Sequence, residues 1–251
     1  ENFVGYAIKS VIELVDQVIV FDTGSTDNTV PIIKELVGHY PHKIIFEEKG
    51  VCNKQQHTRL RQEMIERTTT DWFMILDGDE IWTERGVAEA KEIIVNGPGV
   101  ECLIVPFYLC VGDIFHQYYK KGDFSMLGKR DFFSPRIFKK INNIHWSGDY
   151  NEDRLVTGNE HDFITANNTR ILQARYWHVT HLKRSGHDDN DYSSGGSRKS
   201  KQRLTYFLIG KKISEAVPTV FDARFKAINR LPMLQSLRNF VKLVGVKLRK
   251  A

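Results

Sequence analysis

The stretch DWFMILDGDE, residues 71–80, decides how the rest of this chain is read. Trp72 to Leu76 is an unbroken apolar run, the pattern of a short strand covered on both faces. It stops at Asp77-Gly78-Asp79-Glu80, a tight acidic turn. Two carboxylates one residue apart can converge on a single hard cation. Mg²⁺ and Mn²⁺ prefer oxygen ligands and readily share their shell with phosphate oxygens. Gly78 lets backbone or ligand come close. Most acidic turns only meet water. This one follows a buried-type strand and precedes the apolar pair Ile81-Trp82, which sets it apart.

Outward from that turn the pattern alternates. Residues 3–14 keep helical spacing through Phe3, Ala7, Ile8, Val11, Ile12 and Val15. Val18 to Phe21 is a second continuously apolar run, and it too ends in a polar loop, DTGSTDNT at 22–29. Asp27 or Asn28 can cap the next helix, with Pro31 in its first turn and an end near Val37. Lys43–Glu47 is a strand candidate, 55–67 a polar helix with Leu60, Met64 and Ile65 as its buried stripe, 84–95 a helix and 102–109 a strand. Such alternation predicts an α/β fold, a mostly parallel sheet flanked by helices. In such sheets ligands bind beyond the carboxyl ends of strands, so both acidic loops are expected on one rim.

Past residue 110 the pattern loosens. Residues 131–138 and 170–179 read as strands. Residues 185–200 are polar and rich in Gly and Ser, the composition of a mobile loop. Residues 201–214 and about 231–249 read as helices. The division expected is a catalytic α/β domain over 1–184, a flexible loop over 185–200 and a basic helical C-terminal extension over 201–251.

The totals are those of a globular protein. Of 251 residues, 41% are hydrophobic and 27% charged, enough for a core and too apolar for global disorder. Cys52, Cys102 and Cys110 have no CxxC spacing, which favours a reducing compartment and a cytoplasmic location, with Cys102 and Cys110 in the core. No stretch approaches 18 apolar residues, and no basic region followed by an apolar run opens the sequence. The net charge of +5 permits an anionic partner without choosing one. Met233, Leu234, Leu237, Phe240, Val241, Val244 and Leu248 share one helical face opposite Arg238, Lys242 and Arg249. That basic amphipathic helix suits an anionic membrane surface, and equally the domain itself or a second subunit. No motif supports nucleic acid as a partner.

Four segments together resemble the family 2 glycosyltransferases, which have a GT-A fold. VIVFDTGSTDNT at 18–29 resembles the family's nucleotide-binding first loop. Arg61 lies ten residues before Asp71, where the family usually has Arg-Asn; here the second position is Gln62. DWFMILDGDE at 71–80 is similar to the metal-binding strand and turn. SPRIFKKINNIHWSGDYNE at 134–152 resembles the segment that carries the catalytic acid, with Asn151 where His is common and Glu152 at the catalytic position. The resemblance covers roughly residues 1–180. The family starts with a strand ahead of its first helix, and this sequence starts inside that helix, so the first strand is expected to be missing from it.

The resemblance implies inverting transfer of a sugar from a nucleotide-diphosphate sugar, UDP-linked by expectation, to a hydroxyl on a glycan, lipid-linked glycan or other polymer. It places Asp22, Thr23 and Gly24 at the nucleoside; a turn-forming Asp22 is the plainer alternative. Asp77 and Gly78 serve the donor, and Asp79, with Asp77, binds Mn²⁺ or Mg²⁺. His181, chosen over His178 because Lys183 and Arg184 are near it, completes the metal shell. Arg61 reaches the diphosphate or braces the turn. Glu80 supports the site or orients a loop. Glu152 is the general base, with Asp149 and Asp153 as competing choices. Trp146, Tyr150, Phe163 and Trp177 either stack on sugar or pack the core. Two other classes stay open. A sugar nucleotidyltransferase would carry a Gly-rich triphosphate loop with Arg near the N-terminus, and none is seen. A non-catalytic binding module would have no need of Asp77, Asp79 and Glu152.

Overall fold

A computed structural model of the protein describes residues 1–119, 122, 124–150, 152–185 and 210–228. Helix α1 (Val4–Val11) leads into strand β1 (Val18–Asp22), helix α2 (Thr29–His39) and strand β2 (Ile44–Glu48). β1 and β2 pair in parallel, Val18 opposite Ile44, as a two-stranded sheet. Ile8 and Ile12 at the α1 end meet Ile33, Leu36 and Ile44 in one apolar cluster that holds both helices on this sheet.

Helix α3 (Lys54–Arg67) follows. Its start is fixed by a capping box: the Asn53 side chain accepts from the Gln56 backbone N–H at 2.8 Å, and the Gln56 side chain accepts from the Asn53 N–H at 2.8 Å. Asn53→Ala is expected to lower stability by about 1 kcal/mol. Urea denaturation followed by circular dichroism checks this, and an unchanged midpoint would contradict it.

Strand β3 (Trp72–Met74), strand β4 (Glu80–Ile81), helix α4 (Glu84–Asn96) and strand β5 (Cys102–Leu109) come next. Short strands β6 (His116–Tyr118), β7 (Phe124–Met126) and β8 (Lys129–Asp131) precede β9 (Phe133–Lys139). β10 (His145–Ser147), β11 (Arg154–Val156), β12 (Thr169–Ile171), β13 (Tyr176–His178), β14 (Gly210–Lys212) and the short helix α5 (Ala223–Ile228) complete the order. The larger sheet has six strands in the order β3-β9-β5-β13-β4, with β12 also on β5. β5 is its centre, with Cys102, Leu103 and Ile104 wholly buried. No helix among the described residues is long and apolar enough to cross a membrane.

This sheet is mixed, where the alternation of helices and strands predicted a mostly parallel one. β12 and β13 run parallel to β5, but β9 runs antiparallel to both β5 and β3, and β4 antiparallel to β13. The cause lies in the connections. Between β5 and β9 the chain returns through short strands instead of a crossover helix, so β9 arrives in the opposite direction.

Three further expectations need correction. The apolar runs at 18–21 and 72–76 are half-buried rather than covered on both faces, because β1 pairs only with β2 and β3 only with β9 among the described residues. The single strand expected over 170–179 is two. The register against β5 slips by two residues between the Ile171–Ile104 and Tyr176–Phe107 pairs. The bulged backbone is held by Glu89, whose carboxylate accepts from Gln173 N–H at 2.7 Å and Ala174 N–H at 2.8 Å. The helix expected over 201–214 is a strand at its described end. β14 pairs with β6, and Gly210 permits this because a Cβ there would lie 2.7 Å from the His116 Cβ. The loop 185–200, apart from Ser185, and the amphipathic helix 231–249 lie outside the described residues.

Candidate functional site

The acidic turn is built on a buried ion pair. Glu80 is 0% exposed. Arg136, from β9, meets it with Nε at 3.0 Å from both carboxylate oxygens and Nη2 at 2.6 Å from Oε1. The same Nη2 donates to Asp77 Oδ2 at 2.9 Å. One guanidinium therefore fastens both ends of the turn, and the Glu80 N–H to Asp77 carbonyl bond at 3.0 Å closes it. Burial raises the Glu80 carboxyl above the usual carboxylate range against the opposing pull of Arg136. For Arg136, burial favours the neutral form, but Glu80 and Asp77 outweigh it and hold the guanidinium charged.

Asp79 faces a different set of partners. It is 7% exposed. Arg184 Nη1 donates to its Oδ2 at 2.8 Å, and His178 Nε2 stands 3.6 Å from Oδ1, an ion-pair contact rather than a hydrogen bond. Burial works against the charged carboxylate, yet His178 and Arg184 together bring Asp79 well below its ordinary range. The same exchange acts on His178. Burial pulls the imidazolium down, and Asp79 and then Glu80 raise it to a net upward shift. The other ring nitrogen of His178, Nδ1, is buried without a hydrogen bond among the described residues. β13 delivers His178 directly opposite Glu80 of β4, and the Val179 N–H donates to the Asp79 carbonyl at 2.9 Å.

The first loop is organised by Asp22. Its Oδ2 accepts from the N–H groups of Gly24 and Ser25, both at 3.0 Å, which is the turn-forming role. Gly24 has φ of 96°, and a Cβ there would meet Val51 Cγ2 at 2.7 Å, so a side chain at 24 is excluded twice over. The two acidic loops flank α1. Gly78 packs on Val4, while the neighbouring Gly5 approaches Ile32 of α2. Asp27 accepts from the Thr29 N–H at 3.0 Å, at the start of α2.

A third group lies across α3. Arg61 pairs with Asp153 at 2.7 Å and lies under the rings of Trp146, at 4.7 Å, and Tyr150, at 5.3 Å. His57 stacks on Tyr150 with centroids 3.9 Å apart. Burial first, then Arg61, push the His57 imidazole toward neutrality. Glu152 follows this cluster in an exposed turn, its N–H bonded to the Asp149 carbonyl at 2.8 Å. Of the competing acids, Asp153 is committed to Arg61 with 4% of its side chain exposed, and Asp149 is exposed like Glu152.

Several placements differ from those read in the sequence. The partner of Arg61 is Asp153, and the brace of the acidic turn is Arg136. The histidine beside Asp79 is His178, with His181 in the turn beyond β13. Phe163 and Trp177 are core residues, 2% and 0% exposed, while Trp146 and Tyr150 remain half-buried. Arg136 was the main residue missed. The signal available was a charge inside an otherwise apolar strand, which requires a buried counter-charge. Among the described residues no group of three His, Cys, Asp or Glu side chains gathers as a metal cage. Asp79 supplies carboxylate oxygen and His178 a nitrogen donor only when its imidazole is neutral, so a cation held there takes its other ligands from elsewhere.

Comparison with known proteins adds an independent line. A family-wide profile described as Glycosyl transferase family 2 matches residues 1–151. Two relatives are the SPbeta prophage-derived glycosyltransferase SunS of Bacillus subtilis (strain 168) and glycosyltransferase SunS of Bacillus phage SPbeta. Each is 26% identical over 102 residues, 40% of this chain and 23% of the relative. The match thus spans less than a quarter of either relative's length.

Proposed function

Because the chain belongs to glycosyl transferase family 2, we propose that it moves a sugar from a nucleotide-diphosphate sugar to an acceptor hydroxyl, with the diphosphate at the Asp77–Asp79 turn. The observation that carries this reading is the state of Asp79. It is a buried carboxylate with Arg184 at 2.8 Å and His178 at 3.6 Å, beside an Asp77 tied to Arg136 at 2.9 Å. Basic side chains that converge on one buried carboxylate fit a place where phosphate charge is received.

Asp79, with Asp77 beside it, would hold Mg²⁺ or Mn²⁺, and His178 would join them only as a neutral imidazole. When bound the cation would supply Lewis-acid neutralisation of the leaving diphosphate. The protein's own residues do the remaining work. Arg136 keeps the turn rigid, so that no reorganisation is needed as charge develops. Arg184 sits at Asp79 Oδ2, where its guanidinium suits a phosphate oxygen. Asp22, Thr23 and Gly24 form the nucleoside side, with Asp22 Oδ2 taken by two N–H groups and Oδ1 without a hydrogen bond among the described residues. Glu152, in its exposed turn, removes the acceptor hydroxyl's proton during in-line attack. A UDP-linked donor and a carbohydrate acceptor are the substrate classes proposed. The three free cysteines suit a reducing, cytoplasmic setting. The basic segment 231–249 is the proposed contact with an anionic membrane or a second copy.

A panel of UDP-, GDP- and ADP-sugars with Mn²⁺ or Mg²⁺ tests the reading by released nucleoside diphosphate. Release from one preferred donor supports it. Pyrophosphate formed from a sugar phosphate and a nucleoside triphosphate would replace it with nucleotidyl transfer. Glu152→Gln is expected to keep donor binding and lose about 100-fold or more in transfer rate. Full transfer by that variant removes Glu152 from the base role.

A further inference from the structure

A cleft of about 290 Å³ opens beside the end of β5, between β6, β14 and the start of β13. None of Asp77, Asp79 or Glu152 lines it, so it is separate from the acidic turn. It is close to that turn all the same. The Phe107 ring is 5.0 Å from His178 on one side and 5.5 Å from Phe132 on the other, and Phe132 is a wall of the cleft.

The lining has two parts. Tyr118 and Phe132 present aromatic surface. Gln117, Lys211 and the Tyr118 hydroxyl present polar groups with no hydrogen-bond partner among the described residues. By contrast, Arg175 and Asp131, also in the wall, are paired with each other, and Arg175 lies over the Tyr108 ring at 5.3 Å. The Tyr108 hydroxyl is likewise committed, donating to Glu215 at 2.7 Å.

We propose that this cleft binds one neutral pyranose ring of the acceptor. Aromatic faces cover the apolar face of a sugar, and the uncommitted amide, hydroxyl and ammonium groups meet its hydroxyls. Two alternatives fit less well. A phosphate would need several converging cations, and with Arg175 paired to Asp131 only Lys211 is left among the described residues of the wall. A planar base would need parallel rings to lie between, and the Tyr118 ring is tilted 65° from Tyr119 and 54° from Phe132. The volume is at the small end of ligand pockets, which run from about 300 to 1,000 Å³, and suits a single ring. Only the word acceptor rests on the transferase reading; sugar binding itself does not.

Saturation-transfer NMR with methyl glycosides of glucose, galactose, mannose and N-acetylglucosamine tests it on the full chain. At least one glycoside is expected to receive saturation at its ring protons. Its dissociation constant should rise about tenfold in Tyr118→Ala and in Gln117→Ala, and by less in Tyr118→Phe, which keeps the stacking face and loses only the hydroxyl. Circular dichroism confirms that each variant is folded. Saturation of none of the four glycosides, or binding by Tyr118→Ala as tight as wild type, overturns the proposal. Donor turnover is read separately, as nucleoside diphosphate released by hydrolysis without acceptor, and should be unchanged in Tyr118→Ala. Sugar binding without any donor turnover would remove the acceptor assignment and leave the cleft as a sugar site.

Discussion

Arg136→Ala is expected to lose about 3–5 kcal/mol of stability and to abolish donor turnover. The reason is that Glu80 is fully buried and Arg136 is the cation that compensates it. Removing the guanidinium leaves a carboxylate with no route to water, and it frees Asp77 as well. The loss depends on pH in a definite direction. Burial already raises the Glu80 pKa above its ordinary value of about 4.5, and without Arg136 it rises further. Just above about 4.5 both folded proteins hold the Glu80 proton and the deficit is constant; it grows as pH rises through the raised value of wild-type Glu80 and shrinks as pH falls back to it. Urea denaturation at several pH values measures this. A second variant separates stability from function. Arg136→Met combined with Glu80→Leu replaces the pair by apolar groups and should recover much of the stability, yet leave donor turnover lost because Asp77 is no longer held. A stable Arg136→Ala protein with wild-type turnover would contradict the role given to this residue.

Asp79→Asn is expected to lower metal-dependent donor turnover at least about 100-fold while the chain stays folded. The substitution keeps the shape and removes the charge. His178 and Arg184 then lose their common counter-ion, and Asp77 is left as the one carboxylate of the pair for the cation. Turnover measured as nucleoside diphosphate release across Mn²⁺ concentrations checks the loss. A variant restored by excess Mn²⁺ would point to weakened metal affinity, and one indifferent to Mn²⁺ but fully active would remove Asp79 from the mechanism.

Much of the local structure was legible because it follows short-range rules. The helix starts at Asn53 and Thr83 obey capping chemistry. The apolar run at 102–109 is the central strand that its composition suggests. The acidic turn at 77–80 was set apart by the apolar run before it, and it follows β3 in the structure. What was not legible depends on long-range partners. Arg136 and Glu80 are 56 residues apart in sequence, and nothing local to either says that they meet. His178 meets Asp79 through the pairing of β13 with β4, a long-range contact that its neighbours in the sequence do not announce. Phe163 and Trp177 carry the same composition as aromatics that stack on ligands, and only burial tells them apart. The sheet's mixed direction was hidden because helices and strands alternate only to residue 109. The strand at 210–212 was hidden because its pairing with β6 overrides a helical spacing of apolar residues.

The central claim is that the Asp77–Asp79 turn holds a nucleoside diphosphate through a divalent cation. Electron paramagnetic resonance of Mn²⁺ measures it directly, since the sharp signal of the hydrated ion is lost on coordination. With wild-type protein and one of UDP, GDP or ADP, the signal should fall well below that with nucleotide alone. With Asp79→Asn the fall should be absent. The same fall in wild type and Asp79→Asn, or none in wild type with any of the three nucleotides, would contradict the claim.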